Sequence, residues 1–461
     1  MSGFASLLDQ FKQTTQQTSR VPSSLSSSST ARAPSKPTMT YTPPTIPVRR
    51  ILIACPVLET GGPEALHQLC HVINSGGYQY QVEEINSNES AVDEFGREIK
   101  KDQVAKKGSV KAYMLYMNER HGSITVAEEA SRPPKYFQYV APAVNALPTD
   151  GIVGTDGYCS DLVIWPEIWT KYMDALQRDG ALNKKYQIAI WWLSVDNNRG
   201  AFSPKDFQER CDVLHLVQSY YARRYVTSNI VGKKQQQVVN GQAKVLDLTE
   251  FIPHANKFAA GNEADTLENG SSDETIKQST RDLDVVYNPL KGMHYTDEII
   301  RRSGVKRARN ADGVGVTSGV QFTPIGGGEG GKVRISGEEV VALLKRAKVY
   351  IDFGHHPGMD RLPREAALAS CVVLTNQEGA AKYQEDVPLP SDLKFEEFDA
   401  DKIYSLLRDI CADSIKFDEY SGKMQTYKNW ILGQELRMRV CVDRLIEEIV
   451  TTRCDKTYTD I

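Results

Sequence analysis

Short apolar runs, each bounded by polar residues or glycine, alternate along this chain with stretches in which apolar residues recur at helical spacing. Because strands that alternate with helices favour a parallel sheet, the pattern predicts an α/β fold with two Rossmann-like halves. The predicted strands lie at residues 51–55, 112–117, 162–165, 188–195, 213–217, 284–287, 320–325, 349–353 and 372–374. The predicted helices lie at residues 63–76, 220–226, 296–302 and 337–347, with another that begins at Pro363.

Breaks in this pattern divide the chain. Residues 1–46 are rich in Ser, Thr and Pro, which predicts a disordered tail, and their few acidic residues are also compatible with an organelle transit peptide. Residues 83–109 are charged and lack periodicity, so they are predicted to be an insertion in the first half. The remaining predicted segments are an N-terminal half at 47–254, a flexible linker at 255–280, a C-terminal half at 281–416 and a C-terminal helix at 417–461.

Composition narrows the class of protein. The chain has 461 residues, 40% hydrophobic and 25% charged, which suffices for two domains with sizeable cores. A net charge of −4 gives no electrostatic case for a nucleic-acid partner. The sequence contains no run of about 18 apolar residues, so no transmembrane segment is predicted. The eight cysteines are dispersed without a CxxC pair, which predicts reduced thiols in a cytoplasmic protein.

The sequence at residues 349–375, VYIDFGHHPGMDRLPREAALASCVVLT, places candidate chemistry between two predicted strands. Polar residues at the carboxyl end of a strand, next to a helix N-terminus, are typical of a crevice that binds phosphate. A surface loop with scattered charges is the alternative, and it is disfavoured because five polar or charged groups converge on one loop. The glycines of this loop are Gly354 and Gly358, and its polar residues include His355, His356, Asp360 and Arg361.

A pair of glycines marks another loop. Gly61 and Gly62 follow the strand predicted at residues 51–55 and precede a predicted helix. Glycine has no Cβ, so the backbone there can approach a phosphate or an acceptor, although a tight strand-to-helix turn alone also explains the pair. A glycine-rich patch at residues 326–331 lacks the Lys-Ser/Thr of a P-loop and is predicted to be a loop insertion.

These motifs resemble those of the GT-B-fold glycosyltransferases, particularly those similar to family 4. The likeness rests on the Gly61-Gly62 turn, on Lys291 within YNPLKG, and on Glu365 at the start of a small-residue helix that precedes an apolar strand. The segments GGPEALHQL, WWLSVDN, QSYYA, YNPLKG and YIDFGHHPGMDRLPREAA also look like a narrower set of glycosyltransferase-like proteins found with polysaccharide genes. The resemblance spans about residues 47–450, and it implies a GT-B fold and sugar transfer from a nucleotide-diphosphate sugar.

The resemblance implies roles for individual residues. Lys291 is expected to bind the donor diphosphate, with Arg361 and Arg364 as supporting donors, since the planar fork of arginine suits phosphate oxygens. Glu365 is expected to accept hydrogen bonds from ribose hydroxyls, and Asp196 to lie on the acceptor side. Each of these residues also has a purely structural alternative. Lys291 could be a solvated lysine at a helix start, and Asp196 could be a loop cap. Glu365 could be an acidic residue that the dipole of its helix stabilises. The other expected donor contacts are Gly61, Gly62, Asn288, Gly354, His355, His356, Gly358 and Asp360.

Two positions depart from the family pattern. Pro357 stands where the family usually has the first of two glutamates, and Val286 stands where it usually has an arginine. Asp360 is expected to replace the missing glutamate carboxylate. Arg361 and Arg364 are expected to replace the missing arginine. The departures support an alternative, a catalytically inactive GT-B module that binds a nucleotide or glycan or acts as a scaffold in polysaccharide assembly. A Rossmann-type dehydrogenase is disfavoured because no GxGxxG follows the first predicted strand.

The sequence therefore predicts a metal-independent glycosyltransferase that needs no cofactor beyond its nucleotide-sugar donor. No third ligand with metal spacing accompanies His355 and His356 in the sequence, so no metal site is predicted. The expected acceptor is a glycan or a lipid-linked acceptor. Similarity to family 4 favours retention of the anomeric configuration. The expected location is the cytoplasm, or an organelle if residues 1–46 act as a transit peptide.

Overall fold

The computed structural model describes residues 50–84, 104–120, 123–127, 132–144, 161–172, 187–198, 213–230, 245–258, 281–303, 319–326 and 335–450. The predicted tail at residues 1–46, most of the predicted linker at 255–280 and most of the glycine-rich patch lie outside these ranges. The strands, in chain order, are β1 (Arg50–Pro56), β2 (Gln79–Glu84), β3 (Val104–Ser109), β4 (Lys111–Arg120), β5 (Ser123–Val126), β6 (Asp161–Pro166), β7 (Gln187–Trp192), β8 (Val213–Val217), β9 (Val245–Asp247), β10 (Leu283–Tyr287), β11 (Phe322–Pro324), β12 (Ala347–Asp352), β13 (Val372–Asn376) and β14 (Lys394–Phe395).

These strands form two large sheets and a small ribbon. The first sheet has the order β5-β4-β1-β6-β7-β8-β9, in which β5 pairs antiparallel at one edge and the other neighbours pair parallel. The second sheet has the order β11-β10-β12-β13-β14, with parallel pairing throughout. Strands β2 and β3 form the antiparallel ribbon. The predicted fold class, α/β with two Rossmann-like parallel sheets, is confirmed.

Helices connect the strands and cover the sheets. In chain order they are α1 (Gly61–Gly76), α2 (Tyr220–Tyr225), α3 (Met293–Arg302), α4 (Gly337–Arg346), α5 (Arg361–Leu368), α6 (Ala400–Ala412), α7 (Ser414–Lys423), α8 (Gln425–Leu432) and α9 (Gln434–Val450). Local sequence explains where they start and stop. Helix α1 ends at Gly77, whose φ of 67° suits glycine. Helix α4 starts with a capping box, in which Ser336 Oγ accepts from the Glu339 amide and the Glu339 carboxylate accepts from the Ser336 amide.

Both faces of the first sheet are buried. Trp191 and Trp192, neighbours in β7, are fully buried in two different apolar clusters, because successive side chains of a strand point to opposite faces. Both tryptophans therefore belong to the core of the first half. A further cluster surrounds the second sheet. Among the described residues, no helix is long and apolar enough to cross a membrane.

The single helix predicted at residues 417–461 is wrong as stated. The described part of this segment contains α7, α8 and α9, which are separated by single residues at Met424 and Gly433. The prediction failed because the apolar spacing continues across both interruptions. Helix α9 returns to the first half, where Met438 and Leu445 are buried in the same core as Ile51 of β1. The final helix therefore completes the core of the first half.

Several short elements were not predicted. The ribbon strands lie at the ends of the predicted insertion at residues 83–109, and their sequences QYQVEE and VAKKGS carry too few apolar residues for a strand pattern. Strands β5, β9 and β14 have at most four residues, which is too short for a periodic signal. Helix α6 was also missed, although Asp399 caps it by accepting a hydrogen bond from the Lys402 amide at 3.0 Å.

Candidate functional site

A cleft of about 320 Å³ lies between the two halves. Segments that follow β1, β6, β7, β8 and β9 form its wall in the first half, and the segment that follows β12 forms its wall in the second. The carboxyl ends of parallel strands are where open α/β sheets bind ligands. The lining residues include Gly61, Gly62, Glu167, Leu193, Gln218, Glu250, Gly358, Asp360 and Arg361.

Two glycines determine where Lys291 lies. Gly292 has a φ of 59°, and a Cβ there would come within 2.7 Å of the Gly354 nitrogen, so only glycine fits. A Cβ on Gly354 would in turn lie 2.2 Å from Lys291 Cγ. The lysine side chain therefore crosses directly over the backbone of Gly354. Asn288, an expected donor contact, instead uses its side-chain oxygen to accept from the Leu290 amide at 3.0 Å within the same turn.

Lys291 belongs to a partly buried charge network. Its ammonium group binds the Asp360 carboxylate and lies 3.3 Å from Asp352 Oδ1. His356 is also buried, and its Nδ1 lies 2.9 Å from Asp360 Oδ2. Burial raises the pKa of Asp360, but the hydrogen bond from His356 and the charge of Lys291 outweigh it and lower that pKa to about 2. Asp360 is consequently ionised near neutral pH, and Lys291 has a fixed anionic partner.

Asp352, His356 and Asp360 also form a cluster with metal-ligand chemistry. One ligand atom from each lies within 4.8 Å of the others. The Lys291 ammonium already contacts both carboxylates, so a divalent cation there would meet a like charge. The absence of a metal requirement stays a prediction. The sequence pattern missed this cluster because Asp352 ends an apolar run that was assigned to the sheet.

Arg361 connects the two halves by charge. Its Nη1 binds Glu64 in the first turn of α1, and its Nη2 lies 3.2 Å from Glu365 Oε1. Glu64 is only 2% exposed, and it also pairs with Lys135 Nζ at 3.3 Å and accepts a hydrogen bond from the Tyr139 hydroxyl at 3.1 Å. Burial raises the pKa of Glu64, yet the charges of Arg361 and Lys135 prevail and lower it overall. Glu64 was not predicted as a site residue.

Arg364 does not reach the cleft. The side chain is 1% exposed, and Nη2 binds the Glu250 carboxylate and donates to the Met359 carbonyl oxygen at 2.6 Å. Its Nε donates to the Asp360 carbonyl oxygen at 3.1 Å. Burial is the main cause that raises the pKa of the partner, Glu250. Arg364 was expected to contact the donor. In the structure its hydrogen bonds instead hold the backbone at Met359 and Asp360.

Helix α5 begins earlier than predicted. It starts at Arg361, two residues before Pro363, because Asp360 adopts an extended conformation and occupies the N-cap position. The unpaired amide groups of its first turn therefore include that of Arg361, which lies on the cleft wall. The positive end of the helix dipole at this position favours an anionic ligand.

Asp196 of the first half and His355 of the second half contact each other. Asp196 lies in a 3₁₀ turn, Val195–Asn198, because β7 ends three residues earlier than the predicted strand at 188–195. His355 Nε2 lies 2.6 Å from Asp196 Oδ2, and the Tyr221 ring packs edge-on against the imidazole at 6.2 Å. An acceptor-side residue and a donor-side residue of the sequence prediction are thus hydrogen-bonded to each other.

The predicted site glycines have different surroundings. A Cβ on Gly61 would lie 3.5 Å from Arg361 Cδ, and one on Gly62 would lie 3.7 Å from Leu193 Cδ1, which are ordinary contacts. A Cβ on Gly358 would lie 2.3 Å from the Leu193 carbonyl oxygen, where the backbones of the two halves touch. Gly358 is therefore needed for close packing of the halves, whereas the first two glycines leave room beside the cleft.

A buried carboxylate forms another connection between the halves. Asp386 of the second half is 3% exposed and accepts hydrogen bonds from the amides of Tyr220 and Tyr221, at 2.6 and 2.9 Å. These amides belong to the first turn of α2, where an anion is favoured. Burial nevertheless raises the pKa of Asp386 to about 6. Asp386 was not predicted, because its chain position is 166 residues from Tyr220.

Replacement of Asp386 by asparagine is expected to flatten the pH dependence of stability. The pKa is raised above the ordinary aspartate value of about 3.9, so the folded protein binds this proton more tightly than the unfolded chain does. Stability from this group is therefore present below pH 4 and is lost as the pH rises through about 6. Between pH 4.5 and 7 the free energy of unfolding should fall by about 2 kcal/mol more in the wild type than in Asp386→Asn, measured by urea unfolding. Parallel pH profiles of the two proteins would contradict this assignment.

Comparison with solved structures bears on the fold of this protein. No protein-family model matches this chain, and no curated protein matches it. Solved structures do match: a glycosyltransferase from Rickettsia africae ESF-5 is 10% identical with a TM-score of 0.50, over 88% of this chain and 99% of that one. Anabaena Alr3699/HepE in complex with UDP and glucose is 11% identical with a TM-score of 0.51, over 87% of this chain and 99% of that one. At this identity the likeness establishes the GT-B fold, as predicted.

Proposed function

We propose that this protein is a glycosyltransferase that moves a sugar from a nucleotide-diphosphate sugar to a hydroxyl group of a glycan or lipid-linked acceptor. The observation that carries the proposal is the position of two cations in the segments that follow β10 and β12: Arg361 lines the cleft, and Lys291 binds Asp360, which also lines it. The solved structure of HepE, which shares the fold, contains UDP and glucose. We place the proposed reaction in polysaccharide assembly in the cytoplasm.

The proposed reaction forms one bond and breaks another. The acceptor oxygen bonds to the anomeric carbon of the sugar, the bond from that carbon to the diphosphate oxygen breaks, and the hydroxyl proton passes to the leaving diphosphate or to water. Negative charge develops on the leaving nucleoside diphosphate, where Lys291, Arg361 and the N-terminus of α5 would stabilise it. Glu365 pairs with Arg361, which lines the cleft, and its proposed role is to accept hydrogen bonds from ribose hydroxyls. His355 and Asp196 would then border the sugar and the acceptor.

The test is release of nucleoside diphosphate from a panel of UDP-, GDP- and ADP-sugars, with oligosaccharide or lipid-linked acceptors, in buffer with and without EDTA. One class of donor should support release, and EDTA should leave the rate unchanged because the Lys291 ammonium already supplies positive charge to Asp352 and Asp360. A rate that EDTA abolishes and Mg²⁺ or Mn²⁺ restores would contradict metal independence. No release from any donor would contradict the proposed activity.

A second function is favoured by the charge pairing. Lys291 and Arg361 each already bind carboxylates, and Pro357 replaces a family glutamate. A GT-B module that binds a nucleotide or glycan without transferring sugar, and serves as a scaffold, would tolerate both features. Saturable nucleotide binding without turnover on any acceptor would favour this reading, and turnover with any donor would exclude it.

A further inference from the structure

Arg361 is held between an anchored carboxylate of the first half and a carboxylate of its own helix. On one side its Nη1 binds Glu64, and on the other its Nε and Nη2 lie 3.2 Å from Glu365 Oε1. Glu64 is nearly fully buried, and the hydrogen bond from the Tyr139 hydroxyl fixes its position. The contact between Glu64 and Arg361 therefore ties the second half to a rigid point of the first.

Glu64 is needed for the guanidinium group to stay where it is. The Arg361 side chain passes over Gly61, the first residue of α1, at a distance of 3.5 Å from the Cβ position. The N-terminus of a helix carries the positive end of its dipole, so a cation there is disfavoured unless a carboxylate compensates it. Glu64 is the acidic residue of this first turn. Without its charge, the helix end would repel Arg361.

Nη1 of Arg361 faces Glu64, and Nε and Nη2 face Glu365, so a phosphate that binds Arg361 through Nη1 must displace the Glu64 carboxylate. We propose that Glu64 and Arg361 form a clamp that holds the two halves together, and that the diphosphate of the donor releases the clamp by taking Arg361 from Glu64. This inference rests on the proposed donor site, and it adds a form of regulation to it. Donor binding and separation of the halves then become linked.

Backbone amides that are hydrogen-bonded across the cleft report whether the halves separate. The amides of Tyr220 and Tyr221 donate to Asp386, and the Met359 amide donates to Gln218 Oε1 at 3.4 Å. Each of these bonds joins one half to the other, so each must break when the halves separate. Hydrogen–deuterium exchange at these amides measures that opening without any ligand or activity.

The experiment compares the full-length wild type with Glu64→Gln, Arg361→Met and Lys135→Met. Glu64→Gln and Arg361→Met both break the clamp, so both should raise exchange at the three amides by about ten-fold. Lys135→Met removes the other cation of Glu64 and leaves the clamp intact, so it should exchange like the wild type.

Calorimetric titration with UDP, GDP and ADP distinguishes Glu64→Gln from Arg361→Met. Glu64→Gln should bind its nucleotide about ten-fold more tightly than the wild type, because a competing carboxylate is gone, and Arg361→Met should bind it more weakly.

Wild-type exchange in both clamp variants would overturn the clamp. Unchanged or weaker nucleotide binding by Glu64→Gln would overturn its release by the diphosphate. Faster exchange without nucleotide binding by any of the four proteins would leave the clamp standing and contradict the proposed donor site, so the two failures are distinguishable. If Glu64→Gln does not fold, Arg361→Met still tests the clamp, and Glu64→Asp, which retracts the carboxylate by one methylene, replaces it in the nucleotide titration.

Discussion

Replacement of Lys291 by methionine is expected to lower the rate of sugar transfer by about 100-fold, which corresponds to about 3 kcal/mol of transition-state stabilisation. Methionine keeps much of the length of lysine but lacks the ammonium group that would meet the charge on the leaving diphosphate. Steady-state kcat/KM with the preferred donor measures the loss. Lys402→Met is the matched control, because Lys402 is an exposed lysine on α6, and it should behave like the wild type.

The loss at Lys291 must be separated from damage to the charge network. Removal of the ammonium leaves the carboxylates of Asp352 and Asp360 facing each other, and Asp352 is 4% exposed. The double variant Lys291→Met with Asp360→Asn relieves that repulsion but supplies no cation. It should regain stability and remain slow. Recovery of activity in the double variant, or full activity in Lys291→Met, would show that the lysine only neutralises its neighbours.

Replacement of Arg364 by methionine is expected to lower the free energy of unfolding by about 3–5 kcal/mol. The change leaves the Glu250 carboxylate, which is 5% exposed, without its buried cation, and leaves the Met359 carbonyl oxygen without its 2.6 Å hydrogen bond. Breaking a buried ion pair on one side is costly because an uncompensated charge stays in a medium of low polarity. Urea unfolding of both proteins at pH 7 measures the difference.

Removal of both charges of this pair should cost less than removal of one. In Arg364→Met with Glu250→Gln no charge is left buried, so a large part of the lost stability should return. Arg408→Met is a control for loss of an exposed arginine and should change stability by less than about 0.5 kcal/mol. A loss below about 1 kcal/mol in Arg364→Met, or an additive loss in the double variant, would contradict a buried structural pair.

The parts of the fold that the sequence predicted correctly are those with a strong local signal. Strand β8 has the predicted bounds, and β1 exceeds its prediction by one residue at each end, because both are short segments dominated by apolar residues. The two-residue strand β14 exists only because β13 offers it an edge to pair with. The break at Gly433 was also hidden, because the apolar spacing of α8 continues into α9. Pairing and chain direction are tertiary properties that periodicity does not encode.

In the candidate site, too, local features were predicted and contacts between distant parts of the chain were not. The loop with His355, His356 and Asp360 was found because its polar residues lie within a few positions of one another in the sequence. The partners Glu64 and Glu250 were missed because they lie 297 and 114 residues from the arginines that they bind. A single sequence contains no information about such pairs. The same distance explains why Arg364 was expected in the cleft, since its burial depends on Glu250.

The most direct test of the account is calorimetric titration of the full-length wild type and of Lys291→Met with UDP, GDP and ADP at pH 7. The account predicts that one of the three nucleotides binds the wild type saturably, and that Lys291→Met binds the same nucleotide at least about ten-fold more weakly. Failure of all three nucleotides to bind the wild type, or equal binding by the two proteins, would contradict a donor site at the carboxyl ends of β10 and β12.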